Sequence, residues 1–159
     1  MIDEVDQKIL TILQDNGRTN NADVARQVGM AASGTLERIR KLEKRGVIQK
    51  YEARLDPVQL GLRLLAFVFV KTNQTFNDDS TAERLVAIPE VQEVHHVAGE
   101  DCYLVKVRAA DPQALGKLLR ETFAEIPSIV STRSTIVLET LKESSQLPLP
   151  APADDTDHA

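Results

Sequence analysis

Apolar residues recur at helical spacing through the first part of the chain and then change to alternation. Val5, Ile9, Ile12 and Leu13 fall on one face of a helix that Asp3 caps and Asn16-Gly17 stops. Val24, Ala25 and Val28 form the stripe of a second, shorter helix, with Asn20 or Asn21 as its cap and Gly29 at its end. The loop Met30-Ala31-Ala32-Ser33-Gly34 leads into a third helix that runs through Arg45 and closes at Gly46. On that helix Leu36, Ile39 and Leu42 share an arc turned toward the other two. Three short helices, the last two separated by a few residues, have the layout of a helix-turn-helix.

Beyond Gly46 the period becomes two. Tyr51, Ala53 and Leu55 alternate with Glu52 and Arg54, which predicts a strand; Asp56-Pro57 breaks it, and a turn at Leu60-Gly61 marks a boundary. Leu64 to Lys71 predicts a strand, and Asp78/Asp79 cap a helix carrying Ala82, Leu85, Val86 and Ile88 that Pro89 ends. Strands over Val91 to Ala98 and Cys102 to Ala109 flank the turn Gly99-Glu100-Asp101. A helix starting at Asp111-Pro112 carries Leu115, Leu118, Leu119 and Phe123, and Ile129 to Leu138 is the last strand. This order, strand, helix, strand, strand, helix, strand, is ferredoxin-like: four antiparallel strands with both helices on one face. The predicted fold class is α+β, with helices over 1–46, a hinge strand and linker over 47–62, a ferredoxin-like βαββαβ domain over 63–142, and a disordered tail over 143–159. From Ser144 onward the chain has three of its seven prolines, three aspartates and no aromatic residue, too little apolar surface to offset the entropy of ordering.

Charge changes the picture more than composition does. The 19 Lys and Arg against 24 Asp and Glu leave −5, which taken as an average argues against a protein that binds nucleic acid with its whole surface. The average hides a division. Residues 1–55 hold 10 basic and 8 acidic side chains, a balance of +2, and residues 56–159 hold 9 and 16, a balance of −7. Arg38, Arg40, Lys41, Lys44 and Arg45 are gathered on the third helix with Glu43 the only acid among them. The longest apolar run, Leu64 to Val70, is too short to span a bilayer. Met1-Ile2-Asp3-Glu4 begins no secretory signal, so a cytoplasmic location without a membrane partner is expected. The single cysteine, Cys102, permits neither an internal disulfide nor a multi-cysteine metal site, and the sequence calls for no cofactor.

The third helix has the division of labour that a major-groove reader needs, with apolar side chains behind and hydrogen-bonding ones in front. Ser33, Gly34, Glu37, Arg38, Lys41, Lys44 and Arg45 are the candidate DNA contacts. Arg38 is placed to donate to guanine and Glu37 to accept from cytosine. Lys41, Lys44 and Arg45 are suited to phosphates, which position the helix without reading sequence, and Gly34 admits a close approach. A solvated basic face is the alternative for such a helix taken alone. The short helix and turn ahead of it, and the acidity of the rest of the chain, favour double-stranded DNA.

Asp6-Gln7-Lys8-Ile9-Leu10, Asn16-Gly17-Arg18, Val28-Gly29-Met30, Leu36-Glu37-Arg38-Ile39-Arg40-Lys41-Leu42-Glu43 and Gly46-Val47-Ile48 together resemble the Lrp/AsnC, or feast/famine, family of bacterial and archaeal transcription regulators. Leu60-Gly61, Val97-Ala98-Gly99, Tyr103-Leu104-Val105 and Ser134-Thr135-Ile136-Val137-Leu138 continue the resemblance over about residues 2–142. It implies a winged helix-turn-helix joined by a hinge strand to a ferredoxin-like effector domain. It implies dimers through that sheet, assembled further into tetramers or octamers. It also implies an amino acid bound near the loop between the second and third sheet strands. Two positions depart from the family pattern. Ala31-Ala32 stand where Ser-Pro is common ahead of the third helix. The loop reads Gly99-Glu100-Asp101-Cys102-Tyr103, so the acid comes one position early. Neighbours along a strand face opposite sides, so that shift re-aims Asp101.

An amino-acid ligand needs a carboxylate or carbonyls for its ammonium group and backbone N–H groups or a cation for its carboxylate. Gly99, Glu100, Asp101, Cys102 and Tyr103, with hydroxyls from Ser131, Thr132 and Ser134, are therefore the candidate effector residues. His95 and His96 are adjacent and point to opposite faces of a strand, which suits structural roles and not one shared metal. Cys102 reads as a small buried hydrophobe, and no acid, base and nucleophile constellation stands out, so no enzyme is expected. The resulting reading is a sequence-specific DNA-binding transcriptional regulator modulated by a small effector. The alternative is a small-molecule-binding assembly whose helical part contacts protein, which requires an apolar exposed face on the third helix.

Overall fold

Asp3 opens the first helix with a reciprocal cap: its side chain accepts from the Asp6 N–H at 2.8 Å, and the Asp6 carboxylate reaches back to the Asp3 N–H. The structure, a computed structural model, describes residues 2–73 and 79–149. Helices α1 (Glu4–Asp15), α2 (Asn21–Val28) and α3 (Ala32–Lys44) enclose a small core of Ile9, Leu10, Val24, Ile39 and Leu42. The Asn20 side chain caps α2 by accepting from the Asp23 N–H, and Gly29 ends it in the left-handed conformation at φ +71°. These helices belong to a compact unit running to Arg54 and including the described residues from Glu143 onward; the second unit is Leu55–Lys142.

The second unit contains β1 (Leu64–Thr72), α4 (Ser80–Val86), β2 (Val91–His96), β3 (Tyr103–Ala109), α5 (Pro112–Lys117) and β4 (Ile129–Ile136). The strands lie in the order β2-β3-β1-β4, every neighbouring pair antiparallel. This is the ferredoxin-like arrangement. Leu64, Ala66, Val68 and Val70 alternate onto one face with Val105 and Val107. There they meet Leu85 of α4, Leu115 of α5 and Phe123. The Asp111 side chain caps α5 and Pro112 takes its first turn. After Lys117 the helix widens into a π turn over Leu118–Thr122 and tightens into a 3₁₀ turn over Phe123–Glu125. The cap expected at Asp78 lies outside the described residues. At Asp79 no side-chain cap bond forms.

Two expectations need correction. The hinge strand predicted within 47–62 is not formed: among the described residues no strand pairs with this segment. Alternation supplies a face, but a strand also needs a neighbour for its N–H and C=O groups. Instead Val47 and Ile48 pack against the three-helix core, Tyr51 is half covered at 50% exposure, and Glu52 to Asp56 are exposed. The disorder expected from 143 onward does not extend over 143–149. These residues lie against α1, with Leu149 packed on its core.

Tyr51 donates its hydroxyl hydrogen to Glu43 Oε1 at 3.0 Å. Burial, followed by the Glu43 carboxylate, pushes its phenol up to about 12 from the ordinary 10.0. A raised folded-state value means that the neutral phenol's contribution to stability is complete below pH 10.0 and is lost as pH rises toward about 12. Spectrophotometric titration of the wild type minus Tyr51→Phe is expected to isolate this late ionisation, and Glu43→Gln to move it back toward the ordinary value. An unchanged midpoint in Glu43→Gln counts against the contact.

Candidate nucleic-acid interface and effector loop

Helix α3 is set at its start by α2. The Asn21 side-chain amide donates to the Ala32 carbonyl at 2.8 Å, which fixes the turn between the two helices. Ala31 is the N-cap and offers no side-chain bond, so Ser33 does not replace the missing cap. The buried arc of α3 is Thr35, Ile39 and Leu42, with Leu36 only half-buried. Thr35 is 0% exposed, and its hydroxyl donates back to the Ala31 carbonyl at 3.2 Å, so a polar residue enters the core satisfied. With Thr35 in place of Leu36, the centre of the interior arc turns by roughly 30° at 100° per residue.

That rotation rearranges the front of the helix. Ser33, Glu37, Arg40, Lys41 and Lys44 are exposed, and Arg38 is carried to the flank. Arg38 Nη1 donates to Asp3 Oδ2 at 2.6 Å and to Asp6 Oδ1 at 2.8 Å, with Asp6 itself buried. The guanidinium thus binds α3 to the capped start of α1. The Asp6 backbone N–H, and then Arg38, hold the Asp3 carboxyl below its usual range, and Asp3 and Asp6 in turn raise Arg38. Glu37 pairs with Lys41 at 2.7 Å and is lowered by it. Both are largely exposed, so the pair is weak and either group is available to a partner. Gly34, Glu37, Arg38, Lys41 and Arg45 border a shallow hollow of about 310 Å³. At Gly34 an added Cβ would come within 3.3 Å of the Met30 methyl. Arg40 is the member of this face that the sequence pattern left out. The available signal was Thr35, a β-branched residue at i, i+4, i+7 with Ile39 and Leu42.

The loop between β2 and β3 places its predicted residues on different sides. Gly99 adopts φ +145°, where a side chain would be strained. Asp101 meets Arg133 Nη2 of β4 at 3.0 Å, and the Arg133 guanidinium carbon lies 4.1 Å above the centre of the Phe69 ring. Phe69 and Arg133 are cross-strand partners. Glu100 is exposed. Cys102 is half-buried, donates its N–H to the Val70 carbonyl at 2.9 Å and packs against the core. Tyr103 faces the helices, 7% exposed, stacked on His96 with ring centres 5.1 Å apart. Of the β4 hydroxyls, Ser131 opposes Lys71 on the open face with Arg133, while Thr132 and Ser134 oppose Val70 and Val68 on the other. The loop therefore gathers Asp101, Arg133 and Phe69, with Ser131 on the same face, but not Tyr103, Thr132 or Ser134. Arg133 was legible only as a lone cation in a run of hydroxyls. The neighbouring open-face residues form a second charge group. Glu93, lowered by His95 and Lys106, lies 3.1 Å from His95 Nε2 and 3.0 Å from Lys106 Nζ.

Residues 2–49 match the family model for a winged helix-turn-helix DNA-binding domain, and residues 65–147 match that for the Lrp/AsnC ligand binding domain. The chain is 39% identical over 150 residues to the leucine-responsive regulatory protein of Escherichia coli K12, across 92% of this chain and 90% of that one. It is similar to a transcriptional regulator of Neisseria meningitidis solved as a complex with L-Met, with a TM-score of 0.87, 30% identity, and coverage of 93% of this chain and 97% of that one. It is also similar to an AsnC family transcriptional regulator from Agrobacterium tumefaciens, at a TM-score of 0.86 and 32% identity over 92% of this chain and 96% of that one.

Proposed function

We propose, from the premise that this chain belongs to the Lrp/AsnC family of transcription regulators, that α3 reads operator DNA with Ser33, Glu37, Arg40, Lys41 and Lys44 while an amino acid at the β2–β3 loop tunes that binding. The observation that carries the reading is the exposed cationic face of α3 directly behind which Thr35, Ile39 and Leu42 are buried. Arg38 acts in it as a positioning residue, holding α3 on α1, and Gly34 and Arg45 border the groove-facing hollow. The charged front of α3 disfavours the alternative in which this helix contacts protein.

For the effector, the Arg133 guanidinium and the N–H groups of the Gly99–Asp101 turn suit an α-carboxylate, and Asp101 suits an ammonium group. The related protein solved with L-Met makes an amino acid the first class to test. The ligand has then to exchange partners with the Asp101–Arg133 pair. Self-assembly, in a dimer and higher forms, is supported by large apolar side chains left in solvent on the segments that flank the sheet, Leu55, Leu138 and Leu141 among them. A cytoplasmic setting accords with this role.

A thermal-shift screen against the twenty amino acids tests the effector half. A ligand that binds only the folded chain adds about 2.7 kcal/mol at 100 times its dissociation constant. The expected result is a rise with at least one amino acid that Arg133→Ala removes. No rise with any of them, or a rise that survives Arg133→Ala, rejects the placement.

A further inference from the structure

We propose that α1 carries a docking groove for an extended peptide, and that its occupant is the chain's own 143–149 segment, held there as a releasable strap. The segment lies along the Gln14 side of α1, and a cleft of about 690 Å³ stays open between Leu147 and Leu149 on one side and Thr11, Asn16 and Gln27 on the other.

Its central feature is the Gln14 side chain, which grips both backbone polar groups of a single residue, Leu147. Gln14 Oε1 accepts from the Leu147 N–H at 2.7 Å, and Gln14 Nε2 donates to the Leu147 carbonyl at 3.2 Å. A carboxamide reading both the N–H and the C=O of one residue is how a side chain imitates a neighbouring strand. Gln146 returns the contact, donating its side-chain N–H to the Gln14 carbonyl at 3.1 Å. That carbonyl is one of the last of α1, which the helix itself leaves without a partner. Leu149 then packs against the three-helix core. At the other end Arg54 donates to the Glu143 carbonyl and pairs with its carboxylate at 3.1 Å.

The same details make the strap releasable. All three bonds at Gln14 are open to water, and Leu147 remains 71% exposed, so little apolar area is withdrawn beyond Leu149. Docking consequently sits at the low-stability end of the fold, while the helices beneath keep their own core.

Amide hydrogen exchange on the full-length chain, read at Leu147, tests this without reference to DNA or effector. In the wild type the Leu147 amide is expected to exchange at least about tenfold more slowly than a disordered amide. Gln14→Ala and, independently, Leu149→Asp are expected to abolish that protection while the amides of Ile9 and Leu10 stay protected. Gln14→Glu keeps the acceptor and loses the donor, so an intermediate rate is expected. A Leu147 amide already exchanging freely in the wild type, or one still slow in Gln14→Ala, overturns the proposal. Protection that disappears on dilution overturns it as well, because the occupant would then come from a second copy.

Discussion

Phe123→Ala is expected to destabilise the 55–142 unit by about 3–5 kcal/mol. Phe123 is 1% exposed and is the largest fully buried side chain among the described residues. It belongs to the core cluster that holds Val68, Val105 and Val107 of the strands with Leu85 and Leu115 of the helices. Its neighbours are held by β1 and β3 pairing and cannot collapse into the space left behind. In a unit of this size each kcal/mol moves the melting temperature by roughly 4–8 °C, so calorimetry resolves the loss easily. The site has a further peculiarity. Phe123 directly follows the π turn over Leu118–Thr122. A loss below about 1 kcal/mol, the cost of a half-exposed ring, would place Phe123 outside the core.

Arg40→Ala and Arg38→Ala are expected to fail in different ways. Arg40→Ala should leave the melting curve unchanged and weaken operator DNA by about 1–3 kcal/mol if it reads a base. If it neutralises a phosphate instead, all sequences should weaken alike and the salt slope should fall by about 1. Lys44→Ala is expected to show the phosphate pattern. Arg38→Ala should lower the melting temperature of the three-helix unit, because it leaves the buried Asp6 carboxylate without its guanidinium partner. Its DNA affinity should recover in step with folding when temperature is lowered. Titrations at several salt concentrations, with melting curves on the same samples, separate the two outcomes. A stable Arg38→Ala that loses sequence preference would return Arg38 to the role of base reader.

The contrast between these two arginines shows how far one helix can be read from its letters. Arg38 and Arg40 are equally distant from the centre of a front face defined by Leu36, Ile39 and Leu42. Thr35 breaks the tie. Its burial depends on the Ala31 carbonyl one turn earlier accepting its hydroxyl, a bond that hydrophobicity does not register. The acids that claim Arg38 come from α1, far away in sequence and also readable as an ordinary N-terminal cap. In the effector loop the same limit applies to Arg133. Its meeting with Asp101 and Phe69 follows from the β1–β4 register, which no local pattern encodes.

By itself the sequence determined the elements and their order. Capping residues, glycine and proline stops, and periods of 3.6 and two are local properties, and they located three helices and then the βαββαβ series within a few residues. The division of charge along the chain is likewise local and carried the DNA-binding reading. Only the tertiary structure decided which face of α3 is free, which cation meets Asp101, and where 143–149 lies. It also decided that, among the described residues, the 47–62 segment pairs with no strand for all its alternation. Each of these depends on a partner supplied by another element, and the energy of a polar group or a strand edge is set by whether that partner is present.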